Sequence, residues 1–247
     1  MPVTLHRLVD DAAMRRPDAE AARCDGASLS WSDLARRRNG LARLLVDLGV
    51  GRGDRVAVLL GKSLEVPTAF YGVLAAGGAL VPIDPKSPVE QIARILRATG
   101  ATRLVTEPGR RNAVGGLLDA ELEISHVVGL EPDDARSMNV APWSAVDQLA
   151  SDRPPSVDVD GLDTSYILHT SGSTGEPKLI RHTHASALAF AEWAAEEYGL
   201  TPDDRLTNHA SHHTCFATFD YYAAARAAAT TVILTPANMM MPVSLAE

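Results

Sequence analysis

A segment rich in glycine and hydroxyl side chains, YILHTSGSTGEPKLI at residues 166–180, has the composition of a phosphate-binding loop. Gly172 and Gly175 permit positive φ angles and let a ligand approach the main chain closely. Consecutive backbone N–H groups in such a loop can form an anion-binding nest. Hydrogen-bond donors are added by four hydroxyl side chains, those of Thr170, Ser171, Ser173 and Thr174. Lys178 adds a positive charge beyond the turn at Pro177, so the segment predicts a polyphosphate site.

The spacing in this segment differs from that of a Walker-type phosphate loop. A Walker loop requires Gly, four residues and then Gly-Lys-Ser/Thr, whereas Lys178 follows a proline. The residues at 61–63 read GKS, but Val56 occupies the position of the required first glycine. We therefore expect phosphate at residues 170–178 and not at 61–63. The alternative interpretation of residues 170–178 is a polar surface turn, since glycine-rich segments alone are weak signals.

Strand and helix signals alternate along the chain, which indicates a parallel sheet covered by helices. The run RVAVLL at residues 55–60 is continuously apolar, as is typical of a buried parallel strand. Further strands are predicted in a hairpin at 21–31 and at 79–83, 103–106, 124–130, 165–169, 205–208 and 231–234. Helices are predicted from Leu5 to Pro17, from Ser30 or Ser32 to Leu48, and at 64–76, 89–98, 185–198 and 218–228. The predicted fold is α/β, with mixed, mostly parallel sheets, helices on both faces and ligands at the carboxyl ends of strands.

Composition narrows the classes of partner. The chain has 247 residues and a net charge of 23 − 31 = −8, which disfavours a nucleic-acid partner because phosphate backbones require a basic surface. Cys24 and Cys215 are far apart in sequence and predict no disulfide framework. No apolar signal core begins the sequence, and the longest apolar stretch, at 69–81, is too short for a membrane span. We expect a cytoplasmic protein with no membrane partner.

The segment TSGSTGEPK resembles the signature of the adenylate-forming superfamily, which includes nonribosomal peptide synthetase adenylation domains, acyl-CoA synthetases and luciferases. Residues 29–34 (LSWSDL) and 73–85 (VLAAGGALVPIDP) resemble two earlier segments of that family, and His184 fits the histidine after the loop. The VPIDP ending is more similar to the amino-acid-activating branch. The resemblance covers nearly the whole chain and implies a partial N-terminal domain of such an enzyme. Residues 1–160 would be its first α/β subdomain, and residues 161–247 would begin a second that carries the loop and is truncated.

The chemistry implied by this resemblance is attack of a carboxylate on the α-phosphorus of MgATP, which gives an acyl-adenylate and pyrophosphate. The acyl group then passes to a thiol, on a phosphopantetheine carrier protein or coenzyme A. By resemblance, the phosphate ligands are Thr170, Ser171, Gly172, Ser173, Thr174, Gly175 and Lys178. Thr174 and Lys178 would also be the catalytic residues, with Thr174 as the protein ligand of Mg²⁺. Such catalysis consists mainly of positioning and charge stabilisation.

The sequence departs from the family pattern at several positions. Leu179 replaces the expected glycine, and His169 replaces the expected aromatic residue before the loop. The family's Phe-Asp pair falls on Thr214 and Cys215. In enzymes for α-amino acids that aspartate pairs with the substrate ammonium, and a mostly neutral thiol cannot replace it. We therefore expect a β-amino acid, an aryl acid or another carboxylic acid as substrate.

The predicted acid-binding residues lie between positions 209 and 220: His209, His213, Cys215, Phe216, Phe219 and Asp220. Asp220 could be a relocated anchor for an amine, or a solvated or capping carboxylate. The two phenylalanines could instead be core residues, because Phe is usually buried. His209, His212 and His213, with His182 and His184 earlier in the chain, could form a zinc site closed by Cys215, or line a strand end near the substrate pocket.

The sequence stops at Glu247, before the later family segments that contact adenine, ribose and magnesium. The resemblance therefore implies an N-terminal part that is inactive alone and could need a complementing C-terminal chain. An interrupted sheet would leave an unpaired edge and an exposed apolar face, which predicts poor independent stability. The alternatives are a non-catalytic remnant or interaction module that retains the fold, an acyl-CoA ligase, and an unrelated nucleotide-binding protein.

Overall fold

The computed structural model describes residues 4–134, 138–171 and 176–240, which form an α/β fold with two sheets. The strands are β1 Glu20–Cys24, β2 Ala27–Ser30, β3 Arg55–Leu59, β4 Ala79–Pro82, β5 Arg103–Thr106, β6 His126–Val128, β7 Asn139–Ala141, β8 Thr164–Ser171, β9 Pro177–Thr183, β10 Arg205–Asn208 and β11 Thr230–Ile233. The helices are α1 Arg7–Arg15, α2 Trp31–Asp47, α3 Glu65–Ala75, α4 Val89–Thr99, α5 Arg111–Asp119, α6 Trp143–Gln148, α7 His184–Glu197, α8 Cys215–Thr218, α9 Ala224–Ala227 and α10 Pro236–Met240. A π-helical segment, Phe219–Ala223, joins α8 to α9.

The larger sheet has seven strands in the order β7-β6-β5-β3-β4-β8-β9. Its strand pairs are parallel except for the antiparallel pair β8–β9. Successive residues of β3 point to opposite faces: Val56 and Val58 pack with α2 and α3, whereas Ala57 and Leu59 pack with α4 and α5. The helices therefore cover both faces, which confirms the predicted fold class.

The smaller sheet has four strands in the order β10-β11-β1-β2. The pairs β10–β11 and β11–β1 are parallel, and β1–β2 is the predicted hairpin, with Asp25 at φ 45° and Gly26 at φ 80° in its turn. Each sheet combines strands from before and after residue 160, and the division of the chain at that residue stays a prediction.

Several elements differ from the sequence-based prediction. The glycine-rich segment is followed by strand β9, which was not predicted, before α7 begins. The predicted helix at 218–228 begins earlier, at Cys215, and contains the π-helical segment. Between residues 107 and 150, α5, β7 and α6 were also missed.

The proline-rich, acidic segment at residues 151–161 has the composition of a linker. It contains no helix or strand, and polar contacts hold it against α2. Asn39 donates a hydrogen bond to the carbonyl of Ser151 over 2.7 Å, and Arg43 donates to the carbonyl of Arg153 over 2.7 Å.

Among the described residues, no helix combines the length and apolar character needed to cross a bilayer.

Candidate functional site

Strands β8 and β9 form a hairpin whose tip carries the predicted phosphate loop. Thr170 and Lys178 are Cα partners in this antiparallel pair, and both are exposed. The predicted ligands between them, Gly172, Ser173, Thr174 and Gly175, lie outside the described residues, and only the backbone of Ser171 is described. Lys178 and Thr170 therefore bring an ammonium group and a hydroxyl to the two ends of the loop.

The base of the hairpin is anchored in the core. Ile167 and Leu168 are buried, and Tyr166 pairs with Leu80 of β4 in the parallel part of the sheet. Burial decreases along β8 until Thr170 is exposed. The sheet thus fixes the start of the hairpin, while Thr170 and Lys178, which flank the predicted loop, are exposed.

A cavity of about 1090 Å³ lies beside the base of the hairpin, bordered by β8, β9, α7, the end of β10 and the segment from α8 to Asp220. Much of its wall is aromatic, from Tyr166, Phe190, Trp193, Tyr198, Phe216 and Phe219. Tyr166 and His182 are strand partners whose rings stack 4.6 Å apart, and both line this cavity. Four residues of strand, about 13 Å, separate Tyr166 from Thr170 at the loop.

Five of the six predicted acid-binding residues line this cavity: His209, Cys215, Phe216, Phe219 and Asp220. The sixth, His213, is not among the lining residues, and its ring stacks on His169 of β8 with centroids 5.9 Å apart. Burial lowers the pKa of His169 below its ordinary value. His213 therefore lies beside the strand that leads into the loop.

The cavity residues differ in exposure. Phe216 is 72% exposed, so it is not a core residue. Cys215 is the exposed first residue of the short helix α8. Asp220 is half-buried and accepts a hydrogen bond from Asn208 Nδ2 over 2.8 Å. Burial raises the pKa of Asp220 to about 6, although the Asn208 hydrogen bond and the nearby Lys62 ammonium act in the opposite direction.

Metal binding by the histidine cluster is not supported. Within the described part of the chain, which includes all the residues of the suggested zinc site, no group of three or more His, Cys, Asp or Glu side chains could hold a metal ion. The zinc alternative is therefore wrong for these residues. The predicted magnesium ligand, Thr174, lies outside the described residues.

One polar cluster next to the cavity was not predicted. The Lys62 ammonium group contacts Asn208, which in turn contacts Asp220. Lys62 and Asn208 are 146 positions apart, so no local sequence pattern connects them. The only sequence signal was a lysine three residues after the end of the buried strand β3.

Comparisons with known proteins find matches that cover nearly the whole chain. The sequence profile described as AMP-binding enzyme matches residues 9–247. The chain is 32% identical over 235 residues to an L-proline–[L-prolyl-carrier protein] ligase of Pseudomonas fluorescens, covering 95% of this chain and 45% of that protein. The chain thus spans about half the length of this curated relative.

Two solved structures are similar throughout the chain. The AMPPNP-bound form of the nonribosomal peptide synthetase FmoA3 matches with a TM-score of 0.80 and 30% identity, over 99% of this chain and 24% of that one. The apo structure of MbtA from Mycobacterium smegmatis matches with a TM-score of 0.85 and 26% identity, over 98% of this chain and 46% of that one.

Proposed function

The chain belongs to the AMP-binding enzyme family, and on that premise we propose that it supplies the triphosphate-binding hairpin and the acid-binding cavity of an ATP-dependent adenylating enzyme. The reaction would join a carboxylic acid to the α-phosphorus of ATP, release pyrophosphate and pass the acyl group to a thiol. The chain corresponds to about half of its curated relative. The complete reaction is therefore proposed for the protein together with a complementing C-terminal part.

The main support for this proposal is the geometry of the β8–β9 hairpin. Thr170 and Lys178 are strand partners at its exposed tip, and Tyr166 and His182 border the cavity at its base. One hairpin would thereby hold the nucleotide phosphates at its tip and the acid near its base. Holding two reactants in fixed relative positions is a major source of rate acceleration for this kind of reaction.

The residues present fit a polyphosphate. The side chain of Lys178 forms no hydrogen bond or ion pair with a described residue, so its three N–H donors are free for an anion. The AMPPNP-bound relative supports ATP as the nucleotide. Magnesium would bind with the Thr174 hydroxyl as its protein ligand and neutralise part of the phosphate charge.

The cavity suggests an acid other than a conventionally anchored α-amino acid. Position 215, where the family resemblance expects an aspartate, carries a thiol, whereas Asp220, five residues further on, lines the same cavity. A β-amino acid or an amine-bearing aryl acid would place its ammonium group near Asp220 and its apolar part against the aromatic wall. The proline-activating relative supports an amino-acid-like substrate and a carrier-protein acceptor, with coenzyme A as the alternative acceptor.

The second candidate function is a non-catalytic remnant or interaction module, for which the exposed aromatic residues Trp193 and Tyr198 are the supporting observation. Exposed apolar patches often mark interaction sites. Under either function we propose a cytoplasmic location. ATP–pyrophosphate exchange distinguishes the two functions when it is measured on the chain alone and together with a C-terminal complement.

The exchange assay should compare β-phenylalanine, benzoate and the common α-amino acids. Acid-dependent exchange in the complemented protein supports the enzyme, and its absence with every acid supports the remnant. Tight binding of α-amino acids that is unaffected by Cys215→Ala would reject the proposed substrate class while leaving the adenylating activity intact.

A further inference from the structure

A polar cluster lies where the loop after β3 meets the end of β10. Lys62 Nζ lies 2.9 Å from the carbonyl oxygen of Asn208, 2.5 Å from Asn208 Oδ1 and 2.5 Å from the carbonyl oxygen of Ala210. An ammonium group has three N–H donors, and these three oxygens accept all of them. Lys62 therefore connects the two sheets and has no donor left for a phosphate.

The side-chain amide of Asn208 is fully buried, and its neighbours fix its orientation. Oδ1 accepts the hydrogen bond from Lys62 and lies 3.3 Å from the hydroxyl of Tyr221, which also donates to it. Nδ2 donates to Asp220 Oδ2. A rotated amide would put its oxygen against the carboxylate and its NH₂ group against the ammonium, and both contacts are unfavourable. Lys62 thus determines which end of the amide meets Asp220.

Asp220 keeps one carboxylate oxygen available. Its Oδ2 accepts from Asn208, and Thr231 donates to its main-chain carbonyl, while Oδ1 accepts no hydrogen bond from a described residue. Among the described residues that line the cavity, Asp220 is the only carboxylate, and none is Lys or Arg. A cation in the cavity would therefore meet one carboxylate and no competing lysine or arginine.

We propose that Lys62 is a positioning residue for acid selection. By fixing the Asn208 amide and stabilising the ionised form of Asp220, it makes the cavity select acids that carry a protonated amine away from the reacting carboxylate. The ligand class rests on the proposed function, whereas the positioning of Asp220 does not. A half-buried carboxylate that stays ionised can form a charge-assisted hydrogen bond with an ammonium group, which is stronger than a neutral one.

Other titratable groups face Lys62 and Asp220. They are Cys24 from β1, His209 after β10, His212, and Tyr221 of the π-helical segment. Burial raises the pKa of Cys24 to about 11 and lowers the pKa of His212 to about 3, so both are neutral near pH 7. Burial also raises the pKa of Tyr221 well above its ordinary value. Burial lowers the pKa of Lys62 to about 8, partly offset by Asp220, so Lys62 is mostly charged near pH 7.

The test compares Lys62→Met with Lys62→Arg in the full chain. Carboxyl-carbon NMR would follow the titration of Asp220, and calorimetry at about pH 5 would measure the binding of β-phenylalanine and of 3-phenylpropanoate, which lacks the amine. We expect Lys62→Met to raise the pKa of Asp220 by about 1, because it removes a nearby opposite charge. At about pH 5 the ionised fraction of Asp220 then falls about 10-fold, so β-phenylalanine should bind about 10-fold more weakly while 3-phenylpropanoate stays within about twofold. Lys62→Arg should keep both properties near the wild-type values.

A folded Lys62→Met protein with an unchanged Asp220 titration and an unchanged preference for the amine would overturn the proposal. The reciprocal variant, Asp220→Asn, should lower the pKa of Lys62 further, and an unchanged Lys62 titration would contradict the coupling even if Lys62→Met fails to fold. If the wild-type chain binds neither acid, the selection claim and the proposed substrate class fail together. The two titrations then still decide whether Lys62 positions Asp220.

Discussion

The imidazole rings of His169 and His213 stack almost parallel, with their centroids 5.9 Å apart and their planes inclined by 8°. His169 directly precedes Thr170 at the tip of β8 and also lies 3.2 Å, through Nε2, from the carbonyl of Pro82. His213 precedes the helix that carries Cys215. The stack therefore joins the strand that leads into the phosphate loop to the segment that lines the cavity.

Loss of the stack between His169 and His213 should lower the free energy of unfolding. We expect His213→Ala to lower the free energy of unfolding by about 0.5–1.5 kcal/mol, the range for aromatic pairs. His213→Phe keeps a flat aromatic ring and should recover most of that loss. Thermal unfolding of the three proteins checks this, and equal losses in both variants would show that the ring contact contributes nothing.

A buried histidine should make the protein sensitive to acid. His184 accepts a hydrogen bond from the backbone N–H of Leu5 over 3.1 Å, and burial lowers its pKa to about 4. The unfolded chain, with an ordinary value near 6.5, binds this proton at a higher pH than the folded chain. Stability from this group is therefore complete above about pH 6.5 and is lost as the pH falls toward 4.

The variant His184→Gln keeps a hydrogen-bond acceptor but cannot titrate. Its free energy of unfolding should fall less steeply between pH 6.5 and 4 than that of the wild type, by up to about 1.4 kcal/mol per pH unit. Chemical denaturation at several pH values measures the slope. Parallel slopes in the two proteins would contradict the assigned role of His184.

A close approach between α2 and α6 requires a glycine. A Cβ atom added at Gly40 would lie 2.3 Å from the carbonyl oxygen of Val146, whereas one added at Gly109 would meet no atom within 4 Å. We expect Gly40→Ala to destabilise the chain by about 1–3 kcal/mol through forced displacement of α6. Gly109→Ala is the matched control and should change stability by less than about 0.5 kcal/mol.

The position of Cys215 permits a direct test of acid preference. Cys215→Asp places a carboxylate in the wall of the cavity, and a charge-assisted contact of about 1.5–3 kcal/mol should strengthen α-amino acid binding roughly 10- to 100-fold. Cys215→Asn has a similar shape without the charge and should give little gain. Equal gains in both variants would exclude a charge effect at this position.

The parts of the fold that could be predicted have strong local patterns. The continuous apolar run at 55–60 predicted β3, and Asp25 with Gly26 predicted the β1–β2 hairpin. Strand β9 was missed because its two adjacent apolar residues, Leu179 and Ile180, give no clear alternation and are exposed. Its strand conformation depends on pairing with β8, which is a tertiary contact.

Helix α6 was missed for a related reason. It has only six residues, too few for helical periodicity, and the close contact of Val146 with Gly40 holds it in place.

Dependence on contacts between distant residues also limited the prediction of the site. The family resemblance grouped the residues at 209–220, and five of the six predicted residues line one cavity, whereas the contact of Lys62 with Asn208 joins parts of the two sheets that are far apart in sequence. A single sequence contains no periodic signal for such a contact.

We propose that the tip of the β8–β9 hairpin binds the triphosphate of ATP, and calorimetric titration of the chain with MgATP measures this binding. Lys178→Gln removes the exposed ammonium group at the tip, while Arg181→Gln removes an exposed charge of the same strand three residues away. We predict that Lys178→Gln weakens ATP binding by about 10-fold or more, as expected for loss of a charge-assisted hydrogen bond, and that Arg181→Gln stays within about twofold of the wild type. Equal ATP affinity in all three proteins would show that the hairpin tip does not bind the triphosphate.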